Sequence, residues 1–292
     1  MRLYYHKFDD GSVNFGDDLN AWLWNRLLPG YFDDDDETTF VGIGTLLNEA
    51  LPRRTPLAKR RLIFSTGLGY GEKTFELGPD YTVYCVRGAL SAWKLGLDPE
   101  AAVTDGALLI RRVYEPNSTK TVKFSFMPHI ERIAGEAWKS ICDELGFGYI
   151  DPRGSTEEVL KQICETEVLL TEAMHGAIVA DALRVPWVPL VTSDKILSFK
   201  WQDWCGSVDV AYKPIRIAEA FNLRQKPGDP MALARRVRYE VRRKMALHDL
   251  QKVSRTALPC LSKESNLESL TCELETRLAK LQCDNRRCAS AA

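Results

Sequence analysis

Short apolar runs rich in β-branched and aromatic residues alternate with turns and amphipathic stretches through most of the chain. That alternation predicts an α/β protein with mainly parallel strands, because a parallel strand needs a helical return across the sheet. In a first block, strands are predicted at residues 3–6, 39–41, 61–65 and 82–86, with helices at 18–28 and 89–95. Asp17 or Asp18 is expected to cap the first of these helices. The polar stretch 111–120 contains Glu115-Pro116-Asn117-Ser118, lacks periodicity and carries turn formers, so it reads as a linker. A second block follows: strand 122–126, helix 131–145, strand 149–150, helix 156–164, strand 168–171, helix 176–183, strand 187–191. Ser155 with Glu158 forms a capping-box pattern that fixes the start of the middle helix.

After Pro214 the pattern changes. Residues 231–250 predict a helix with Leu233, Val237, Val241 and Met245 at i, i+4 spacing among Arg235, Arg236, Arg238, Arg242, Arg243 and Lys244. Two readings stay open for it, a helix packed on the body with a solvated basic face and a helix at a membrane surface. Residues 251–292 read as a tail: Leu267, Leu270, Leu274, Leu278 and Leu281 can make one amphipathic helix, and the rest is expected to be disordered. The division is therefore an N-terminal α/β domain (1–115), a second α/β domain (120–215), a basic amphipathic helix (216–250) and a tail (251–292). Two Rossmann-like blocks joined by a linker put the expected active site in a cleft at the C-terminal ends of their strands.

Composition narrows the function. With 292 residues, 45% hydrophobic and 27% charged, the chain has material for two cores. Lys+Arg 39 against Asp+Glu 40 leaves a net charge of -1, so no global footprint for nucleic acid exists. The start of the chain lacks the apolar core of a secretory signal, and the most apolar segment, 177–191, is interrupted by Asp181, Arg184 and two prolines. Eight scattered cysteines show neither CxxC nor zinc spacing and read as free thiols in a reducing cytoplasm. The acidic run 33–37 has no EF-hand pattern and reads as a solvated loop; no metal-ligating residue is assigned, and a metal requirement stays open. Gly42-Ile43-Gly44 and Gly67-Leu68-Gly69-Tyr70-Gly71 lack a dinucleotide fingerprint and read as backbone turns.

The strongest local signal is a buried strand ending at Thr171, a turn, and a helix opened by His175-Gly176. A histidine there stands beside free helix N–H groups and a positive dipole end, which suits a phosphate or carboxylate; Gly176 would let such a ligand approach the backbone. Glu172 can orient His175 or raise its pKa. His129 follows Pro128 at a strand end, either facing the same cleft or standing in a surface loop. Arg87, at a strand end, either binds ligand charge or pairs with Asp105, and Asp17 either binds a ligand or acts as a base, or caps its helix.

The run Thr171, Met174-His175-Gly176-Ala177-Ile178, Ala180, Ala182-Leu183, Val185-Pro186 resembles the signature of the polysaccharide pyruvyl transferase family. Asn14-Phe15-Gly16-Asp17 is similar to that family's N-terminal N-x-G-D element, Val86-Arg87 with Ser91 to its V-R-x-x-x-S turn, and Asp105, Ala107 and Leu109 to its D-x-A-x-L element. The wording at 14–20, 42–45 and 127–129 is most similar to the exopolysaccharide ketal-pyruvate transferases of that family. The resemblance implies a glycosyltransferase type B-like pair of Rossmann-like domains with a C-terminal helical extension. It also implies phosphoenolpyruvate as co-substrate with no cofactor, a sugar or lipid-linked oligosaccharide as acceptor, and a pyruvate ketal plus phosphate as products. His175 and Asp17 are the expected catalytic residues. His129, Glu172, Gly176, Lys195, Lys200 and Arg87 are expected on the donor side, and Asn14, Gly16, Asp18 and Asp105 on the acceptor side. Where many members carry arginine two residues before the histidine, this chain has Ala173, so its cation must come from elsewhere. The expected location is cytoplasmic, with peripheral contact at the inner membrane face. The competing readings are a nucleotide-sugar glycosyltransferase and a non-catalytic carbohydrate-binding protein.

Overall fold

The computed structural model describes residues 1–8, 10–33, 35–69, 75–116, 119–134, 136–221 and 231–290, with 286–290 described as backbone alone. Tyr70-Gly71 of the second glycine motif, Asn117-Ser118 of the linker and Asp34 of the acidic run lie outside them. The chain order is β1 (Arg2–Tyr4), α1 (Phe15–Leu27), β2 (Thr38–Val41), α2 (Leu51–Arg54), β3 (Arg60–Phe64), β4 (Tyr81–Cys85) and α3 (Ala89–Lys94). After a 3-10 segment at Gly106–Arg112 come β5 (Val122–Met127), α4 (Glu136–Leu145), β6 (Gly148–Tyr149), α5 (Thr156–Cys164), β7 (Thr166–Thr171), α6 (Met174–Ala182) and β8 (Trp187–Val191). The chain ends with α7 (Ser198–Ser207), β9 (Ile215–Arg216), α8 (Ala232–Thr256) and α9 (Glu264–Ser290).

These elements form two compact units: Met1–Glu115 with Leu197–Tyr212 and Ser262–Ala292, and Pro116–Ile196 with Lys213–Leu261. The first holds a parallel sheet ordered β1-β2-β3-β4. Its strands are apolar on both faces, as a doubly covered parallel sheet requires. On one face Trp24 of α1 packs edge-on against Phe40 and Phe64, and on the other Val41, Ile63 and Val86 pack with Leu47, Leu51 and Ala92. The second unit holds a parallel sheet ordered β6-β5-β7-β8-β9. Trp138 and Ile141 of α4 and Ala246, Leu250 and Val253 of α8 pack over Phe126, Leu170 and Val188 on one face, with α5 and α6 packed together against the sheet through β7.

Most predicted elements are present, with α5 and β8 at the predicted bounds and the Ser155–Glu158 capping box formed in both directions. The differences have local causes. The cap of α1 is Asn14, in extended conformation, which leaves Asp17 and Asp18 inside the first turn where their charge meets the helix dipole. The predicted helix 131–145 splits into a 3-10 turn at Ile130–Arg132 and α4. The expected tail 251–292 is largely helical, because Leu267, Leu274, Leu278 and Leu281 of α9 are buried in the first unit. Residues 197–212, read as part of the second domain, belong to the first unit, and α8 is an integral part of the second.

Candidate functional site

In the second unit the sheet order, renumbered from its own first strand, is 2-1-3-4-5, so the chain reverses direction across the sheet between β5 and β7. Ligands of such sheets bind outside the C-terminal ends of the strands at that reversal. The residues following β5 are Pro128 and His129, and those following β7 are Glu172, Ala173 and the first turn of α6 with His175. The sequence-predicted donor residues His129, Glu172 and His175 therefore share one edge of one unit.

Thr171 organises the turn between β7 and α6. Its Oγ1 accepts the Ala173 N–H at 2.9 Å and lies 3.2 Å from the Met127 carbonyl, so β5, β7 and the start of α6 are held together. Ala173 is the N-cap and supplies no side-chain acceptor, which leaves the first-turn N–H groups to other partners. His175 stands half-buried in that turn. Gly176 is closely packed: a Cβ there would lie 2.6 Å from Met127 Sδ and 3.1 Å from Thr171 Oγ1.

Glu172 is fully buried, and its Oε1 accepts the Thr192 N–H at 2.6 Å, joining the ends of β7 and β8. Burial pushes its carboxyl above the ordinary glutamate range, against the opposing pull of hydrogen bonds from Thr192 and the His129 backbone and of the Arg132 charge. Arg132, in the 3-10 turn after β5, donates to Ser193 Oγ at 3.2 Å and pairs with Glu219 at 3.1 Å. Nothing in Ile130-Glu131-Arg132 marks a motif, so this cation beside Glu172 was not legible in the sequence. His129 caps that turn, its Nδ1 accepting the Glu131 N–H at 3.4 Å. Lys195 is exposed in the loop after β8, its own N–H on Ser193 Oγ at 3.3 Å.

The remaining predicted residues belong to the first unit. Asn14 Nδ2 donates to Asp17 Oδ2 at 2.6 Å, and Gly16 is buried in the same turn. Burial, and secondly the Asp17 charge, raise the Asp18 carboxyl above its ordinary value. Asn20, which no motif flagged, fixes this turn to the exit of β2: its Nδ2 donates to the carbonyls of Asp17 and Ile43 at 3.0 Å each and its Oδ1 accepts the Ile43 N–H at 2.8 Å. Gly42 leaves room for the Asn20 and Trp24 side chains, where a Cβ would lie 2.7 Å from Asn20 Oδ1.

Arg87 and Lys200, expected on the donor side, both lie buried in the first unit. Arg87 is fully buried; its Nε donates to Asp203 Oδ2 at 3.2 Å and its Nη1 to Thr45 Oγ1 at 3.0 Å. Its ionic partner is Asp203 of α7, not Asp105. Asp105 is fully buried as the cap of the following 3-10 segment, accepting the Ala107 N–H at 3.0 Å. Lys200 lies in α7 of the first unit and is 8% exposed. Both are built into the frame of that unit because α7 packs on α3.

Residues 104–194, which include β5, β7, α6 and β8, match the family model described as polysaccharide pyruvyl transferase. The succinoglycan biosynthesis protein ExoV of Rhizobium meliloti (strain 1021) is 43% identical over 219 residues, covering 74% of this chain and 68% of that protein.

Proposed function

Because the chain belongs to the polysaccharide pyruvyl transferase family and is a transferase of exopolysaccharide biosynthesis, we propose that it moves pyruvate from phosphoenolpyruvate to a sugar of an exopolysaccharide or its lipid-linked repeat unit. The product is a cyclic pyruvate ketal, and phosphate leaves. The proposal includes two Rossmann-like units of glycosyltransferase type B-like fold and asks for no resident cofactor. The non-catalytic carbohydrate-binding reading gives way with family membership, and glycosyl transfer gives way to pyruvyl transfer.

The observation that carries the reading is the set His175, Glu172 and Arg132 at the β5/β7 reversal of the second unit. Phosphoenolpyruvate brings a carboxylate and a phosphate, so its site needs fixed positive charge and a proton carrier. In the first step a sugar hydroxyl adds to C2 of the enol while C3 takes a proton, and the hydroxyl gives up its own. In the second, a neighbouring hydroxyl displaces phosphate from C2 and loses its proton. His175 serves as the acid and base at the α6 terminus. Arg132, held by Ser193 and Glu219, supplies the positive charge that Ala173 does not, with Lys195 and His129 beside it. Asp17, ordered by Asn14, with Asp18 holds acceptor hydroxyls in the first unit.

Calorimetric titration tests this. Phosphoenolpyruvate is expected to bind the wild type, not His175→Ala, and Arg132→Met about 10–100-fold more weakly, the loss of a charge-assisted contact pair. Binding of a nucleotide sugar without phosphoenolpyruvate overturns the reading.

A further inference from the structure

The N-terminal half of α8 carries an apolar row that its own unit does not cover. Leu233, Val237, Val241 and Met245 are 76%, 55%, 52% and 47% exposed. Single exposed apolar side chains are ordinary, but a contiguous row is not. At about 100° per residue the row lies on the side of the helix opposite Ala246, Leu250 and Val253, which make the contact with the second unit. The helix thus has one apolar face for its unit and a second face for something else.

Charge surrounds that second face in a definite arrangement. The same helical projection sets Arg236 and Lys244 along one side of the row and Arg238 and Arg242 along the other. From residue 232 to 245 there are six basic side chains, and Glu240 is the one acidic residue. Arg243 is committed to the body through Glu144 at 2.5 Å. Long basic side chains beside an apolar stripe keep their heads at a polar boundary while the stripe enters an apolar phase.

We propose that this half of α8 docks the protein on an anionic lipid bilayer. The helix lies in the headgroup plane, with Leu233, Val237, Val241 and Met245 turned into the acyl boundary and the flanking arginines and Lys244 on lipid phosphates. Charge selects this occupant over a second copy of the chain: two copies joined on this face would oppose two rows of cations with one glutamate each, whereas anionic headgroups supply the missing negative charge. Among the described residues no helix is long and apolar enough to cross a membrane, so the helix lies on the bilayer rather than spanning it. The inference rests on α8 alone and is independent of the reaction proposed above.

Co-sedimentation of the full chain with vesicles tests it, using phosphatidylcholine alone and phosphatidylcholine mixed with phosphatidylglycerol. The wild type is expected to sediment with the mixed vesicles and to be released as salt is raised. Two variants, Leu233→Ser/Val237→Ser/Val241→Ser and Arg236→Gln/Arg238→Gln/Arg242→Gln, are each expected to lose about tenfold or more of that partitioning. The thermal melt of the serine variant should match the wild type, because its altered side chains are exposed, and that of the glutamine variant should fall only slightly, from loss of the Arg238 contact over the Phe221 ring. Failure of the wild type to sediment with anionic vesicles, or unchanged sedimentation of the serine variant, overturns the proposal. So does concentration-dependent dimerisation in analytical ultracentrifugation that the serine variant abolishes, which would make this face an interface between copies.

Discussion

Glu172 couples the candidate site to pH. Its carboxyl is raised by burial, so above about pH 4.3, where an unfolded glutamate has released its proton, the native state still holds it. The native state then binds more protons than the unfolded one, and the stabilisation, complete below the unfolded pKa, is lost as pH rises through the native one. Denaturant midpoints of the wild type should therefore fall relative to Glu172→Gln over that window, and parallel curves for the two proteins would refute the assignment. Glu172 and His175 were legible in the sequence because strand, turn and helix start lie within a few residues of one another. Arg132 was not, since its placement comes from Ser193 and Glu219, 61 and 87 residues away.

At the scale of elements, α7 shows how a distant helix completes a local one. The cap of α3 is Gly88, which offers no side-chain acceptor. Asp203 of α7 takes that part: its Oδ1 accepts the Ser91 N–H at 3.0 Å and its Oδ2 the Ser91 hydroxyl at 2.5 Å and Arg87 Nε at 3.2 Å. Gly88 permits the approach, since a Cβ there would lie 2.5 Å from Asp203 Oδ1. Removing one partner of a buried pair leaves an uncompensated charge, so Asp203→Ala should cost about 3–5 kcal/mol, measured by urea unfolding. Asp203→Asn, which keeps an acceptor for Ser91, should cost less. The Val86-Arg87 motif was visible in the sequence, but its pairing with a residue 116 positions on was not.

At the scale of the molecule, the first unit is assembled from three stretches of chain, and α9 closes it. Arg112 pairs with Glu268 and Glu275 at 2.5 and 3.0 Å, and Arg277 donates to the Tyr84 carbonyl at 3.3 Å. Partly exposed ion pairs of this kind contribute little, so the anchorage rests on Leu267, Leu274, Leu278 and Leu281. Four buried leucines at about 1.5–3 kcal/mol each are comparable to a whole domain's stability of about 5–15 kcal/mol. A chain ending at Leu261 should therefore lose the first unit's unfolding transition in calorimetry, whereas a dispensable tail would leave it intact. The sequence by itself determined what depends on neighbours along the chain: the alternation of strand and helix, the Ser155 cap, and the β7-turn-α6 motif that carries His175. Tertiary structure alone decided which unit α7, α8 and α9 join, which carboxylate meets Arg87, that Arg132 stands beside Glu172, and that the apolar row of α8 faces outward. Those outcomes depend on burial and charge pairing between segments far apart in sequence, and periodicity reports that a face is apolar without saying what covers it.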